Sequence, residues 1–256
     1  MKSRSQENGF TLQELLAVIG LIALLASLLV PVIGHARFRA RVATCANNYR
    51  QWGIAVALYA TEDGKGRLPS FPLPIEKMSQ YSTLEPWFVP FALVTNMAAH
   101  GVTVPMWFCP LRQRRFETHR ENFRRLTGDE LITPEDLVKE YQQVQHASFA
   151  FPDLFWWVPR RLGGFAVEYP DPKLMKTRVP EQWPSKMDDA TVATMPFISD
   201  WTTESTQDLG VTGGGHRWGG KLRNNNAGFA DGHVETRPVN RLQWQAKSPD
   251  GVVYLY

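Results

Sequence analysis

From Gly9 to Gly34 the chain reads GFTLQELLAVIGLIALLASLLVPVIG, a run in which Glu14 is the sole charged side chain. No other segment restricts the fold so tightly. A bilayer core takes about 20 consecutive apolar residues as a helix, and this run is long enough. In hydrocarbon a single segment satisfies its backbone polar groups only as a helix. Glu14 is the anomaly, because an acid there costs about 2.5–3.5 kcal/mol on insertion scales. A chain that keeps it needs a partner for it. A secretory signal has a shorter apolar core of roughly 7–15 residues and a small-residue cleavage site beyond it. The run is longer and no such site follows, while a plain anchor has no use for the acid.

Gly9-Phe10-Thr11-Leu12-Gln13-Glu14-Leu15-Leu16 resembles the prepilin cleavage and methylation motif of type IV pilins and type II secretion pseudopilins. The resemblance implies that a membrane-embedded aspartyl prepilin peptidase cuts between Gly9 and Phe10. Phe10 then becomes an N-methylated mature N-terminus, and Glu14 meets the N-terminal amine of a neighbouring subunit during assembly. Pro31 stands where pilin helices often carry a weakening proline. The physics agrees, since an amine and a carboxylate attract far more strongly in low dielectric than in water.

The implied fold is α+β and pilin-like, a long N-terminal helix packed on a small antiparallel sheet. Residues 1–9 are the leader, 10–34 the membrane half of the helix and 35–62 its soluble half. Residues 63–256 form a globular domain with a C-terminal hairpin module near 211–237. The implied protein crosses the inner membrane once, with its C-terminal domain periplasmic or extracellular, as a structural subunit of a pseudopilus or pilus-like filament. Its implied partners are the prepilin peptidase, other pilin or pseudopilin subunits and the inner-membrane assembly platform. A non-polymerising, membrane-anchored surface-binding protein using the same export signal is the alternative. Arg37, Arg39 and Arg41 outnumber Lys2 and Arg4, so a count of basic residues alone favours the opposite orientation. Long domains translocate largely regardless of charge, so the motif decides.

The net charge of +3 falls to +2 once residues 1–9 are removed, too mild a balance to predict a nucleic-acid partner. Nine Trp and fourteen Phe, broken up by eighteen Pro, predict a compact, loop-rich domain and exclude extensive disorder. Val42, Cys45, Tyr49, Trp52, Val56 and Tyr59 recur at steps of three and four, one apolar stripe on a helix. That stripe is the expected seam against the globular domain, and Asp63-Gly64-Lys65-Gly66 ends the pattern. Cys45-Ala46-Asn47-Asn48-Tyr49-Arg50-Gln51 and Phe108-Cys109-Pro110 resemble elements of a pseudopilin-like group abundant in planctomycete-type bacteria. The two cysteines of an exported domain invite a Cys45–Cys109 disulfide. Two buried thiols are the alternative.

Further along, a short helix is expected near 87–99, and the Arg-rich residues 112–125, with His119 among them, read as a solvated surface. Thr133, Pro134 and Asp136 start a helix running to about His146. Phe149 to Val158 reads as core, and Met195 to Trp201 as a buried strand. Thr212 to His216 forms a glycine-rich turn, and Asp231-Gly232 a hairpin turn. His216, Asn224 to Asn226 and Phe229 to Val234 resemble a processing-associated C-terminal module built on a histidine, a spacer and Asp-Gly. Residues around Trp218 to Arg223 lengthen the spacer.

His216, Asp231 and His233 are weak candidate metal ligands, without the spacing of a known zinc motif. In a hairpin Asp231 more often accepts turn amides. Asp200, Glu204, Asp208 and Asn224 to Asn226 offer oxygens of the kind calcium prefers, without loop spacing to match. No cofactor is predicted. The sequence lacks Gly-x-Ser-x-Gly, P-loop, Cys-x-x-Cys and His-Glu-x-x-His motifs, so no enzyme is expected.

Overall fold

A computed structural model of the protein describes residues 11–73, 86–161, 168–169, 176–177, 183–205, 213–247 and 252–255. The chain divides into two units, Met1–Arg41 and Val42–Tyr256. Helix α1, Leu12–Glu62, runs through both, and Pro31 lies inside it without ending it. In the first unit Leu15, Leu16, Ile19, Leu24 and Leu28 are among a long series of exposed apolar side chains. This segment is long and apolar enough to cross a membrane.

In the second unit the character of α1 changes. Cys45, Tyr49, Trp52 and Val56 of the expected stripe are buried, with Val42 and Tyr59 half-buried at its ends, and Ala60 is buried beside them. The helix stops at Glu62, and Gly64 and Gly66 follow at φ +65°. Helix α2 is Phe91–Ala98, α3 is Gln113–Thr127 and α4 is Pro134–Gln143. A capping box starts α4: Asp136 N–H donates to Thr133 Oγ1 at 3.1 Å, and Thr133 N–H donates to Asp136 Oδ2 at 2.8 Å. The expected solvated surface at 112–125 is corrected here. It is mostly α3, whose His119 and Phe123 are buried.

The strands are β1 Leu154–Trp156, β2 Arg160–Arg161, β3 Glu168–Tyr169, β4 Lys176–Thr177, β5 Ile198–Asp200 and β6 Thr202–Ser205. They continue with β7 Gly213–Gly214, β8 His216–Trp218, β9 Lys221–Gly228, β10 Val234–Pro238, β11 Trp244–Lys247 and β12 Val252–Leu255. Among the described residues the antiparallel strands form two five-stranded sheets, ordered β1-β5-β9-β10 with β8 also on β9, and β4-β11-β12-β6-β7. Strands β2 and β3 form a separate ribbon, and every pairing is antiparallel. The architecture is therefore α+β, a long apolar helix with antiparallel sheet.

Strand β1 shows why the aromatic run is continuous rather than alternating. Trp156 joins the core under α1, edge-on to Phe197 at 5.5 Å and tilted against Trp52 at the same distance. Phe155 and Trp157 enter a second cluster with Phe88, Phe149 and Trp183. Both faces of the strand are buried, so no position needs a polar residue.

Strand β9 positions the functional groups. Asn224 pairs with Pro238 of β10 on one edge and with His216 of β8 on the other. Ala227 pairs with Glu235 of β10 and with Ser199 of β5. Strands β5 and β8 thus share one edge of β9, which brings Asp200 at the end of β5 beside His216 at the start of β8.

Candidate functional site

Gly9 and Phe10 lie outside the described residues. Glu14 sits in the first turn of α1, where its Oε2 accepts from Thr11 N–H at 2.9 Å and from Thr11 Oγ1–H at 2.8 Å. Glu14 N–H donates back to Thr11 Oγ1 at 3.3 Å. The sequence Thr-x-x-Glu forms the reciprocal cap that its spacing allows. The carboxylate is thereby fixed at the positive end of the helix dipole, beside the Gly9-Phe10 junction in sequence.

A second group of chemically active side chains is buried. Cys45, Cys109, Asp200 and His216 each offer one ligand atom, and all four atoms lie within 4.8 Å of one another. Four separate segments supply them: α1, the turn after the Val104–Trp107 helical turn, β5 and β8. Cys45 Sγ donates to Asp200 Oδ1 at 3.1 Å, and Tyr49 Oη donates to the same oxygen at 2.9 Å. Asn226 N–H donates to Asp200 Oδ2 at 2.6 Å. His216 Nε2 stands 3.0 Å from Asp200 Oδ2 but is not aligned for a hydrogen bond to it. His216 Nδ1 lies 2.6 Å from Asn224 Oδ1, which can only accept, so the proton on that nitrogen is fixed.

The electrostatics follow from burial and proximity. Burial alone would lower the His216 pKa, but the adjacent Asp200 carboxylate overrides it and pushes it up to about 11. Burial would likewise raise Asp200, and the His216 charge holds it below the usual carboxylate range. Contact with Cys45, aided by His216, brings the Cys109 thiol down to about 7 despite its burial. The same contact, together with burial, drives Cys45 well up, and burial raises Tyr49.

Nearby, Arg112 and Arg115 lie 2.8 Å and 3.2 Å from Asp153 Oδ1, and both guanidinium groups approach the Trp201 ring. Asp153 Oδ2 accepts from Cys109 N–H at 3.3 Å. Two arginines of the basic run are therefore built into the site's surroundings.

The candidate ligands read from the sequence separate. His216 belongs to the buried cluster. Asp231 and His233 form the exposed β9–β10 turn, where Asp231 Oδ1 accepts from His233 N–H at 3.1 Å and lies 2.6 Å from its Nδ1. The His233 ring stacks on Phe229 at 4.0 Å. Asp231 is thus a turn acceptor, and the grouping of His216 with Asp231 and His233 is overturned by strand geometry. The expected disulfide is likewise corrected: Cys45 and Cys109 are free thiols, although they are neighbours. The two-thiol alternative fits.

Most of the oxygens considered for calcium are engaged: Asp200 accepts from Cys45, Tyr49 and Asn226 N–H, Asn224 Oδ1 lies 2.6 Å from His216 Nδ1, and Asn226 Oδ1 accepts from Thr236 Oγ1–H at 2.6 Å. Glu204 is exposed, and Asp208 lies outside the described residues.

From the sequence, Asp200 reads only as a calcium oxygen and Cys45 and Cys109 only as a thiol pair, so their grouping with His216 is not legible there. The signal for Asp200 is a carboxylate at the end of Phe197-Ile198-Ser199-Asp200-Trp201, because an acid in a buried strand requires partners. No family model, no curated protein and no solved structure matches the chain.

Proposed function

We propose that this chain is a pilin-like or pseudopilin-like structural subunit, cut after Gly9, methylated at Phe10 and assembled into a filament through its N-terminal helix. One observation carries this reading above the others. Glu14 is the only charge in a span-length apolar run, and it sits in the first turn of an exposed apolar helix directly behind a Gly-Phe junction. The long helix, one face of whose distal half is buried in an antiparallel α+β domain, is compatible with that role.

The energetics favour pairing between subunits. At about 4 Å and an effective dielectric near 20, a carboxylate and an amine attract by about 4 kcal/mol. That exceeds the roughly 2.5–3.5 kcal/mol insertion penalty of the isolated acid. Losing the pair should weaken subunit addition by about a thousandfold, since ~1.4 kcal/mol is tenfold. The role is scaffolding in an inner-membrane assembly, with the peptidase and other subunits as partners and no chemistry of its own.

A second reading has a specific observation behind it. Glu14 already accepts two hydrogen bonds from Thr11 of its own chain, which suits an anchored monomer that never polymerises.

Two experiments separate these possibilities. Mass spectrometry of the membrane-bound chain, with and without a prepilin peptidase, should find a methylated Phe10 terminus only with the enzyme. An intact Met1 in both samples would rule out processing. Glu14→Gln should be processed normally yet fail to enter filaments, whereas unchanged behaviour would favour the anchored monomer.

A further inference from the structure

Independently of how the chain assembles, we infer that Cys45, Cys109, Asp200 and His216 form a buried four-ligand site for a zinc-class divalent metal ion. The four ligand atoms converge within 4.8 Å; Asp200 lies 3.1 Å from Cys45 Sγ through Oδ1 and 3.0 Å from His216 Nε2 through Oδ2, and one of these oxygens serves as the ligand. Zinc–sulfur bonds of about 2.3 Å and zinc–nitrogen or –oxygen bonds of about 2.0–2.2 Å give tetrahedral edges of roughly 3.3–3.8 Å. The observed spread brackets that range, so small side-chain shifts suffice. Two sulfurs, an imidazole and one carboxylate select zinc or a similar borderline ion over calcium and magnesium, which take oxygen.

The orientation of His216 adds a second sign. His216 is fully buried, and its Nε2 faces Asp200 Oδ2 at 3.0 Å without hydrogen-bond alignment. Its other nitrogen is held by Asn224 Oδ1 at 2.6 Å. A metal-binding histidine is held in the same way, with the outer N–H on an oxygen and the inner lone pair directed at the ion. Asp200 is oriented comparably by Tyr49 Oη at 2.9 Å and Asn226 N–H at 2.6 Å. Asp153 receives the Cys109 N–H, and the Arg112–Arg115 pair flanks it, leaving one positive charge in excess next to the cluster. Two thiolates, a carboxylate and a divalent ion leave one negative charge, which that excess offsets. On binding, the thiol protons and any proton on Nε2 pass to solvent.

The consequence is mechanical. An ion held by one ligand from α1, one from the segment after Trp107 and two from adjacent strands ties the soluble half of the long helix to the sheet. No catalytic role follows, because all four positions are filled by protein and none is left for a substrate.

The test uses the full-length chain purified in detergent with its thiols reduced, loaded with zinc and dialysed free of excess. About one zinc per chain should remain. Cobalt loaded in its place should show thiolate-to-cobalt charge transfer and the visible bands of a tetrahedral ion. Cys109→Ser and His216→Ala should lose the metal, whereas Asp231→Ala and His233→Ala should keep it. If Cys109→Ser does not fold, the cobalt spectrum of the unaltered chain decides alone. Absence of bound zinc and cobalt, with the two thiols either free or joined in a disulfide, would overturn the site. So would a cobalt spectrum without sulfur charge transfer, or metal retained by His216→Ala.

Discussion

The buried pair between α3 and α4 tests how this domain handles charge. His119 Nδ1 lies 2.8 Å from Glu140 Oε2, with side-chain exposures of 5% and 0%. Gln145 Nε2 supports the carboxylate at 3.3 Å and 3.4 Å, and the His119 ring packs against Phe108 and Tyr141. With both groups charged, attraction at this separation is about 6 kcal/mol at an effective dielectric near 20. Removing two ions from water costs several kcal/mol each, so the pair as a whole contributes close to nothing. Breaking it is another matter. His119→Leu strands Glu140 with Gln145 alone and should destabilise the fold by about 3–5 kcal/mol. Glu140→Leu should cost less, about 1–3 kcal/mol, because the remaining imidazole lacks only one hydrogen-bond partner. The double variant, apolar on both sides, should lie within about 1 kcal/mol of the unaltered protein. The coupling is therefore about 3 kcal/mol or more. Urea unfolding of all four proteins in detergent measures it, with equal m-values as the check that the unfolding transition is unchanged. If the double variant equals the sum of the singles, the two side chains are energetically independent and the reasoning fails.

Three more outcomes can be checked on the same preparation. Gly214→Ala should prevent folding, because its φ is +75° and an added Cβ would stand 1.6 Å from the Trp201 carbonyl oxygen; a cooperative unfolding transition near the original midpoint would refute this. Thr133→Ala should cost about 1 kcal/mol by removing the cap of α4, read as a lower urea midpoint. The same cap has a pH signature. Burial acts to raise the Asp136 pKa, but the Thr133 and Ile132 N–H groups override it and hold it below the ordinary 3.8. Its contribution is thus present above pH 3.8 and lost as the pH falls through the lower folded value. Asp136→Asn should flatten the stability profile in that window, and an unchanged profile would discount the cap.

The legible parts of the chain share a property: their signal is local. The α1 stripe from Cys45 to Val56 follows helical period, the start of α4 follows Thr133-Pro134-Glu135-Asp136, and the β9–β10 turn follows Asp231-Gly232. Helix α3 was not legible because six arginines dominate 112–125, and its apolar strip is only Phe116, His119 and Phe123. Arg112 and Arg115 read as solvated, yet they meet Asp153 from a strand start some forty residues away.

Taken alone, the sequence determined that the apolar run from Leu12 to Gly34 forms a helix of membrane length with one acid at its start, since composition and period act over neighbouring residues. It also determined which face of α1 is buried. Only the tertiary structure decided that Cys45, Cys109, Asp200 and His216 meet. Their convergence depends on β5 and β8 sharing one edge of β9, a pairing fixed by contacts far apart in the chain. Strand register likewise sent His216 inward and left Asp231 and His233 at the surface, a distinction that residue type and spacing do not encode.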